Sequence, residues 1–222
     1  ASCTHVGMSS TRVMGTGAVM GQAVGTAVAY ATQHDLSPLE CASGAAIRSI
    51  QQRLLTDDCF LPDVPREFGP DTAEVELSAS SGDPEPLRDG VNRNRHDEVH
   101  CWSAAPGDWV EYRWSESREV RSVTVAFDSN LTPDISLSYH KRSNRYERTP
   151  DELVKQFEIQ AEVTGEWQTI HRSEDSRQRF RRIAFEDLQA TAVRLIPQST
   201  HGSEEVRIFT LAINEPPPGE FP

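Results

Sequence analysis

The sequence predicts a mainly β protein in which an antiparallel β-sandwich follows a short helical segment. From about residue 74, short runs of alternating apolar and polar residues are separated by turn residues. Period-two alternation rich in Val, Ile, Thr and aromatic residues is typical of strands with one buried face. The runs are Val75–Ser78, Trp109–Trp114, Val120–Phe127, Ile135–Tyr139, Phe157–Ala161, Trp167–Ile170, Val193–Ile196 and Val206–Phe209. Residues 1–66 instead show helical spacing, so two unequal parts are expected.

The first predicted helix carries a stripe of small residues. Gly17, Gly21, Gly25 and Ala29 recur every four residues, so on a helix they lie along one side. Each glycine inside a helix costs about 0.5–1 kcal/mol relative to alanine. We therefore expect another surface to pack against this stripe and offset the loss.

A capping box marks the start of a second predicted helix. The segment Ser37–Glu40 reads Ser-Pro-Leu-Glu, which places a proline at the first helical position and a glutamate where it can cap the helix. An apolar face then follows at helical spacing, formed by Ile47, Ile50, Leu54 and Leu55. Two helices of this size make a marginal domain, so the segment is expected to lean on another part of a protein.

Prolines and a glycine between Pro62 and Pro70 mark the boundary between the two patterns. We expect a helical segment over residues 1–66, a linker over 67–73, the sandwich over 74–214 and a Pro-rich tail over 215–222. Disorder is expected in the tail, where prolines cluster.

The composition excludes several classes of protein. A net charge of -12 argues against nucleic acid as a partner, because non-specific nucleic-acid affinity comes mainly from cationic surface. The four cysteines show no CxxC spacing, which excludes a zinc ribbon. The segment 13–33 is uncharged, but Thr16, Gln22, Thr26 and its glycines make it too polar for a membrane span. A buried helix is the preferred interpretation.

Two further motifs resemble known binding motifs but lack the surrounding secondary structure that those motifs need. Gly15, Gly17, Gly21 and Asp35 superficially resemble a dinucleotide-binding turn, but no buried strand precedes them and a helix end precedes Asp35. The segment 96–101 holds metal-type residues but lacks the His-Glu-x-x-His order, and it lies outside a helix. We interpret it as a solvated loop.

The N-terminal segment resembles a known family. The run Cys3–Ala27, followed by Leu36–Pro38 and Gln51–Cys59, is similar to the C-terminal end of a bacterial family of FAD-dependent oxidoreductases. The resemblance covers about residues 1–62. It implies a missing N-terminal FAD-binding domain, so we expect this chain alone to be an inactive fragment that does not hold FAD.

The same resemblance implies roles for individual residues. The backbone N–H groups around Thr16, Gly17 and Ala18 would face the pyrimidine edge of the flavin, with Gly21 leaving room for the ring. Arg12 would add a cation beside the flavin or its phosphates, the alternative being a salt bridge. His5 would act as a catalytic acid or base, the alternative being a structural, hydrogen-bonded histidine.

The alternating part resembles a discoidin or galactose-binding-like jelly roll over about residues 72–214. The resemblance rests on Leu87–Gly90, Cys101–Ser103, Trp109–Trp114, Ala192–Ile196 and Val206–Leu211. It implies a structural Ca²⁺ held by backbone carbonyls with Asp89 and either Asn92 or Asn94, and with Glu205 approaching from the late strands. A plain Asx turn at Asp89 is the alternative. Trp102 is expected in the core rather than at a sugar.

Basic residues cluster in two places, at 141–148 and at 177–182. In the first, Arg142 and Arg145 precede Tyr146 and combine forked donors with a stacking face, which predicts a site for an anionic sugar. Solvated loop and edge-strand charges are the alternative for both clusters.

The predicted function is that of the C-terminal part of an FAD-dependent oxidoreductase with an accessory, carbohydrate-binding sandwich. A non-catalytic carbohydrate-binding module, or an accessory domain of a polysaccharide-processing enzyme, is the alternative. We find no paired carboxylates or nucleophile constellation in the sandwich that would support catalysis there.

Overall fold

The computed structural model describes residues 3–11, 14–95, 97–130, 149–186 and 188–222, without the side chains of 9–11. The chain forms two compact units. The helical unit contains Ala1–Val64 together with Pro216–Pro222, and the sandwich unit contains Pro65–Glu215.

Three α-helices make up most of the helical unit. They are α1 (His5–Thr11), α2 (Met14–His34) and α3 (Gly44–Thr56). Where the capping box predicts the start of the second helix, the structure has the 3₁₀ turn Glu40–Ala42 instead. The box itself forms, because the Ser37 N–H and hydroxyl both donate to Glu40 Oε2, at 2.8 and 2.6 Å. Ser43 then adopts an extended conformation, so α3 begins only at Gly44.

A small core holds the helical unit together. The predicted apolar face of α3 is confirmed at Ile50, Leu54 and Leu55, which are buried. Ile50 and Leu54 pack in one cluster with Tyr30 of α2. The Pro-rich tail belongs to this unit, and Phe221 packs against the same cluster. The tail thus makes specific contacts where the sequence predicts disorder.

The sandwich unit consists of two antiparallel sheets. Its strands are β1 (Glu76–Ala79), β2 (Trp102–Ala104), β3 (Val110–Glu119), β4 (Ser122–Phe127), β5 (Val154–Val163), β6 (Glu166–Ser173), β7 (Phe180–Ala184), β8 (Gln189–Thr200) and β9 (Val206–Ile213). One sheet has the order β1-β3-β8-β5-β6 and the other β2-β9-β4-β7. A short helix, α4 (Pro70–Ala73), precedes them. This architecture confirms the predicted fold class.

The core lies between the two sheets and takes side chains from both. Its largest fully buried members are Trp102, Tyr112, Phe127 and Phe157. The Nε1–H of Trp102 donates to the Ser81 carbonyl at 2.8 Å, so the expectation that this tryptophan is a core residue is confirmed. Near the two ends of the unit, Arg66 and Glu215 form a buried ion pair of 2.8 Å.

The alternation pattern misses strands β2 and β7. In β7 two consecutive arginines, Arg181 and Arg182, obscure the period-two pattern, although Ile183 between the sheets is buried. β7 is an edge strand, where charged side chains have room to reach solvent. The predicted strand at 135–139 lies outside the described residues.

Candidate functional site

Several large apolar side chains of the helical unit are exposed. Large apolar side chains of α1 and α2 face solvent, with Met14 93% and Val19 66% exposed. The others are Val6, Met8, Met20, Val24 and Val28. Among the described residues of α2, Tyr30 alone is buried. A helix that exposes this many large apolar side chains is typical of one that packs against another surface.

The predicted glycine stripe lies open along the same helix. A Cβ atom added at Gly17, Gly21 or Gly25 would meet no described atom within 4 Å. Nothing described therefore explains why glycine occupies these positions, although each costs helix stability. The open backbone has the shape that a flat ring or another backbone needs for close approach.

The predicted flavin-site residues fall in two groups. Thr16, Gly17, Ala18 and Gly21 lie together in the first two turns of α2, and all but Thr16 are exposed. His5 lies at the start of α1 and is also exposed. Arg12 lies outside the described residues.

The predicted calcium ligands already have protein partners. Asp89 Oδ1 accepts from the Val91 N–H at 2.8 Å, which is an Asx turn, and Oδ2 lies 2.7 Å from His100 Nδ1. Asn92 Oδ1 accepts from Arg93 Nε at 3.3 Å.

Glu205 Oε2 lies 3.8 Å from Arg207 Nε. Over the part of the chain that the structure describes, no group of three or more His, Cys, Asp and Glu residues could hold a metal ion. Calcium binding at Asp89, Asn92 and Glu205 stays a prediction from the resemblance.

The predicted anionic-sugar residues, Arg142, Arg145 and Tyr146, lie outside the described residues. The second basic cluster is held by internal contacts. Arg177 pairs with Asp175 at 3.1 Å, and Arg179 donates to the Phe127 carbonyl at 2.9 Å.

Sequence reasoning missed a polar lattice on the outer face of the five-stranded sheet. Arg194 donates to Gln160 Oε1 from Nε and Nη2, at 2.9 and 2.6 Å. Its Cζ lies 4.0 Å from the centroid of the Trp167 ring. Arg113 Nη1 donates to Glu162 Oε2 at 2.6 Å, and this bond holds the pKa of the Glu162 carboxyl below its usual value.

A cleft of about 290 Å³ lies beside this lattice. It is lined by Gln156, Phe157, Glu158, Arg172, Ser173, Glu174 and Gln198. Glu158 joins the cleft to the lattice, because its Oε1 pairs with Arg172 at 2.8 Å while its Oε2 accepts from Gln160 at 3.2 Å.

Planar amide, carboxylate and guanidinium groups therefore line a continuous polar surface. The signal in the sequence is the alternation Gln156, Glu158, Gln160, Glu162 along β5, which by itself indicates only a solvent-facing side.

Comparison with known proteins supports the N-terminal resemblance. Residues 1–54 match the model of the family described as FAD dependent oxidoreductase. No curated protein matches the chain. In the described residues, no helix is long and apolar enough to cross a membrane.

Solved structures that match include several carbohydrate-binding modules. The CBM32 of AlyQ in complex with 4,5-unsaturated mannuronic acid is 17% identical, with 64% of this chain and 95% of that chain covered and a TM-score of 0.46. The family 32 CBM from C. perfringens NanJ in complex with galactose is 13% identical, with 64% and 95% covered and a TM-score of 0.46. The family 32 module from Streptococcus pneumoniae EndoD is 16% identical, with 63% and 93% covered and a TM-score of 0.46.

Proposed function

We propose that the helical unit is the C-terminal part of an FAD-dependent oxidoreductase domain, and that α2 packs against the flavin-binding part of that domain. The exposed apolar surface of α2 with its open glycine stripe carries the proposal. The family match over residues 1–54 supports it. The sandwich unit is then an accessory domain.

The energetics favour a partner for α2. Fully burying a Val or Met side chain contributes about 1.5–3 kcal/mol, and several such side chains are exposed here. Glycines that destabilise the isolated helix become useful once a ring or backbone lies against them. A partner packed against α2 would therefore explain both the exposed apolar side chains and the open glycine stripe.

Each predicted flavin-site residue would have a different role beside the bound cofactor. Bound FAD would supply two-electron oxidation and reduction. Gly17 and Gly21 leave room for a flat ring, and the backbone of Thr16 offers polar contacts to its edge. Arg12 would supply a positive charge, and the exposed His5 would hold or release a proton.

Alanine substitutions at Gly17 and Gly21 test the proposal, because they have opposite effects in two settings. In this chain the added methyl groups meet open space, so α2 should gain about 0.5–1 kcal/mol per site, measured by circular dichroism during thermal unfolding. In the gene product that also contains the FAD-binding part, the same changes should reduce flavin retention, read from its absorption spectrum.

Gly15→Ala is the matched control, since Gly15 is equally open but lies off the stripe. It should stabilise α2 and leave flavin retention unchanged. A gene product without flavin, or one that retains flavin fully in the Gly17→Ala and Gly21→Ala double variant, would overturn the proposal.

A second candidate function is carbohydrate binding by the outer face of the five-stranded sheet. The polar lattice and the adjoining cleft favour it, because sugar hydroxyls are recognised by planar amide, carboxylate and guanidinium groups next to an aromatic ring. The net charge of -12 favours a neutral glycan over an acidic one.

A glycan array probed with the whole chain tests this candidate. Trp167→Ala and Gln156→Ala should each weaken binding at least about tenfold, which corresponds to about 1.4 kcal/mol. Gln168→Ala is the control, since Gln168 pairs with the buried Ala161 and lies on the other side of its strand from Trp167. Failure to bind neutral and acidic glycans alike, or equal binding by all three variants, would exclude the candidate.

A further inference from the structure

The C-terminal segment Pro216–Pro222 is bound by a buried arginine of α3. Arg53 is 2% exposed, and its Nη1 donates to the backbone carbonyls of Pro216, Pro217 and Glu220 at 3.2, 2.9 and 3.0 Å. Its Nε donates to Asp57 at 2.9 Å, which fixes the guanidinium in place. One side chain thus reads three peptide carbonyls of a segment more than 160 residues away.

An aromatic contact and an amide complete the binding of this segment. Phe221 packs edge-on against the Tyr30 ring, with 4.8 Å between centroids, and Tyr30 stacks on His34 at 4.1 Å. The Gln33 side chain donates from Nε2 to the Gly219 carbonyl at 3.0 Å. The α2–α3 pair therefore offers donors to the backbone and an aromatic surface to one side chain.

The bound segment has the chemistry that suits such a site. Its prolines lack N–H groups and limit the conformations of the free chain, so that less entropy is lost on binding. Backbone carbonyls are then the main polar groups left to recognise, and Arg53 supplies forked donors for them. Gly219 has a φ of +91°, which a side-chain-bearing residue rarely adopts.

From these contacts we infer that the helical unit carries a binding site for a proline-rich peptide that contains an aromatic residue. Tyr30, Gln33, His34 and Arg53 form the site, and the chain's own C-terminal segment fills it. The inference does not depend on flavin or carbohydrate binding. It predicts that the site can be emptied and refilled from solution.

Peptide binding tests the inference directly. A chain ending at Glu215 should bind a fluorescent peptide with the sequence of residues 216–222, followed by anisotropy. The whole chain should bind it at least tenfold more weakly, because a tethered ligand competes at an effective concentration of about millimolar. Peptides carrying Phe221→Ala or Gly219→Ala should bind roughly tenfold more weakly.

Equal peptide binding by the two chains, or no binding by a shortened chain that keeps its helical circular dichroism, would overturn the inference. Proteolysis of the whole chain decides the matter if the shortened chain does not fold. A glutamate-specific protease should cut the bond after Glu220 about tenfold faster in Phe221→Ala or Gly219→Ala than in the original chain. Leu39→Ala, at an exposed site of the same unit, should leave the rate unchanged, and equal rates in all four chains would refute the site.

Discussion

Replacing Tyr112 with phenylalanine should change the stability of the sandwich in a pH-dependent way. Tyr112 of β3 is fully buried, and its hydroxyl donates to the Leu211 carbonyl of β9 at 3.0 Å, joining the two sheets. Losing this bond leaves a buried carbonyl without its partner. Near neutral pH we expect Tyr112→Phe to lower the free energy of unfolding by about 1–2 kcal/mol.

The sign of the difference should change at alkaline pH. Burial raises the pKa of Tyr112 in the folded state above its ordinary value of about 10. The stability that this neutral hydroxyl contributes is complete below pH 10 and declines above it, because the unfolded chain ionises first. By about pH 11 the ionised unfolded tyrosine is favoured by about 1.4 kcal/mol, which should cancel the advantage of the original chain.

Intrinsic fluorescence provides a selective assay, because all four tryptophans lie in the sandwich unit. Denaturant unfolding at several pH values would give the stability of each variant. Tyr30→Phe, in the helical unit, is the control and should leave the sandwich transition unchanged at every pH. A Tyr112→Phe deficit that stays constant up to about pH 11 would refute the reasoning, since it would mean that folding does not raise the pKa of Tyr112.

Two further predictions concern the sandwich unit. Gly90→Ala should destabilise it by more than about 2 kcal/mol in the same assay, because Gly90 has a φ of +86° and an added Cβ would lie 2.5 Å from the Arg66 carbonyl oxygen. Gly107→Ala is the control and should cost less, because Gly107 has a φ of +96° but open space around it. Equal losses of stability in the two variants would contradict the steric argument. The Cys101 thiol is buried, and burial raises its pKa, so it should react with iodoacetamide only on unfolding. The exposed Cys3 should react in the folded chain. Mass spectrometry that finds Cys101 modified before Cys3 would contradict the burial of Cys101.

The strands could be predicted wherever one face of the sheet is buried. Val123 and Val125 alternate with smaller or polar residues because they point between the sheets. This alternation is visible in the sequence and predicts the strand. Arg181 and Arg182 break the same rule at an edge strand, where charge is tolerated on both sides. The local pattern reports the burial of one face, so it fails at an edge strand such as β7, whose side chains are mostly accessible to solvent.

The candidate sites show a similar division. The glycine stripe of α2 could be recognised because its unusual composition is local to one helix. The contacts between Arg53 and the C-terminal prolines could not, since they join residues far apart in sequence and the prolines alone predict an unpacked tail. The polar lattice was hidden for another reason. Its residues look like ordinary solvent-facing side chains until Trp167 and Arg194 are seen stacked together.

The Arg66–Glu215 ion pair joins the two ends of the sandwich unit, as in a domain that is inserted into another domain. The side-chain tips of Arg66 and Glu215 are 2.8 Å apart, so the chain enters and leaves the folded sandwich within the reach of two side chains. Closing a flexible loop of roughly 150 residues would cost about 4 kcal/mol or more of chain entropy. Folding of the sandwich already brings its two ends together, so this chain entropy is lost when the sandwich folds. Pro216–Pro222 can then pack in the helical unit at little further entropic cost.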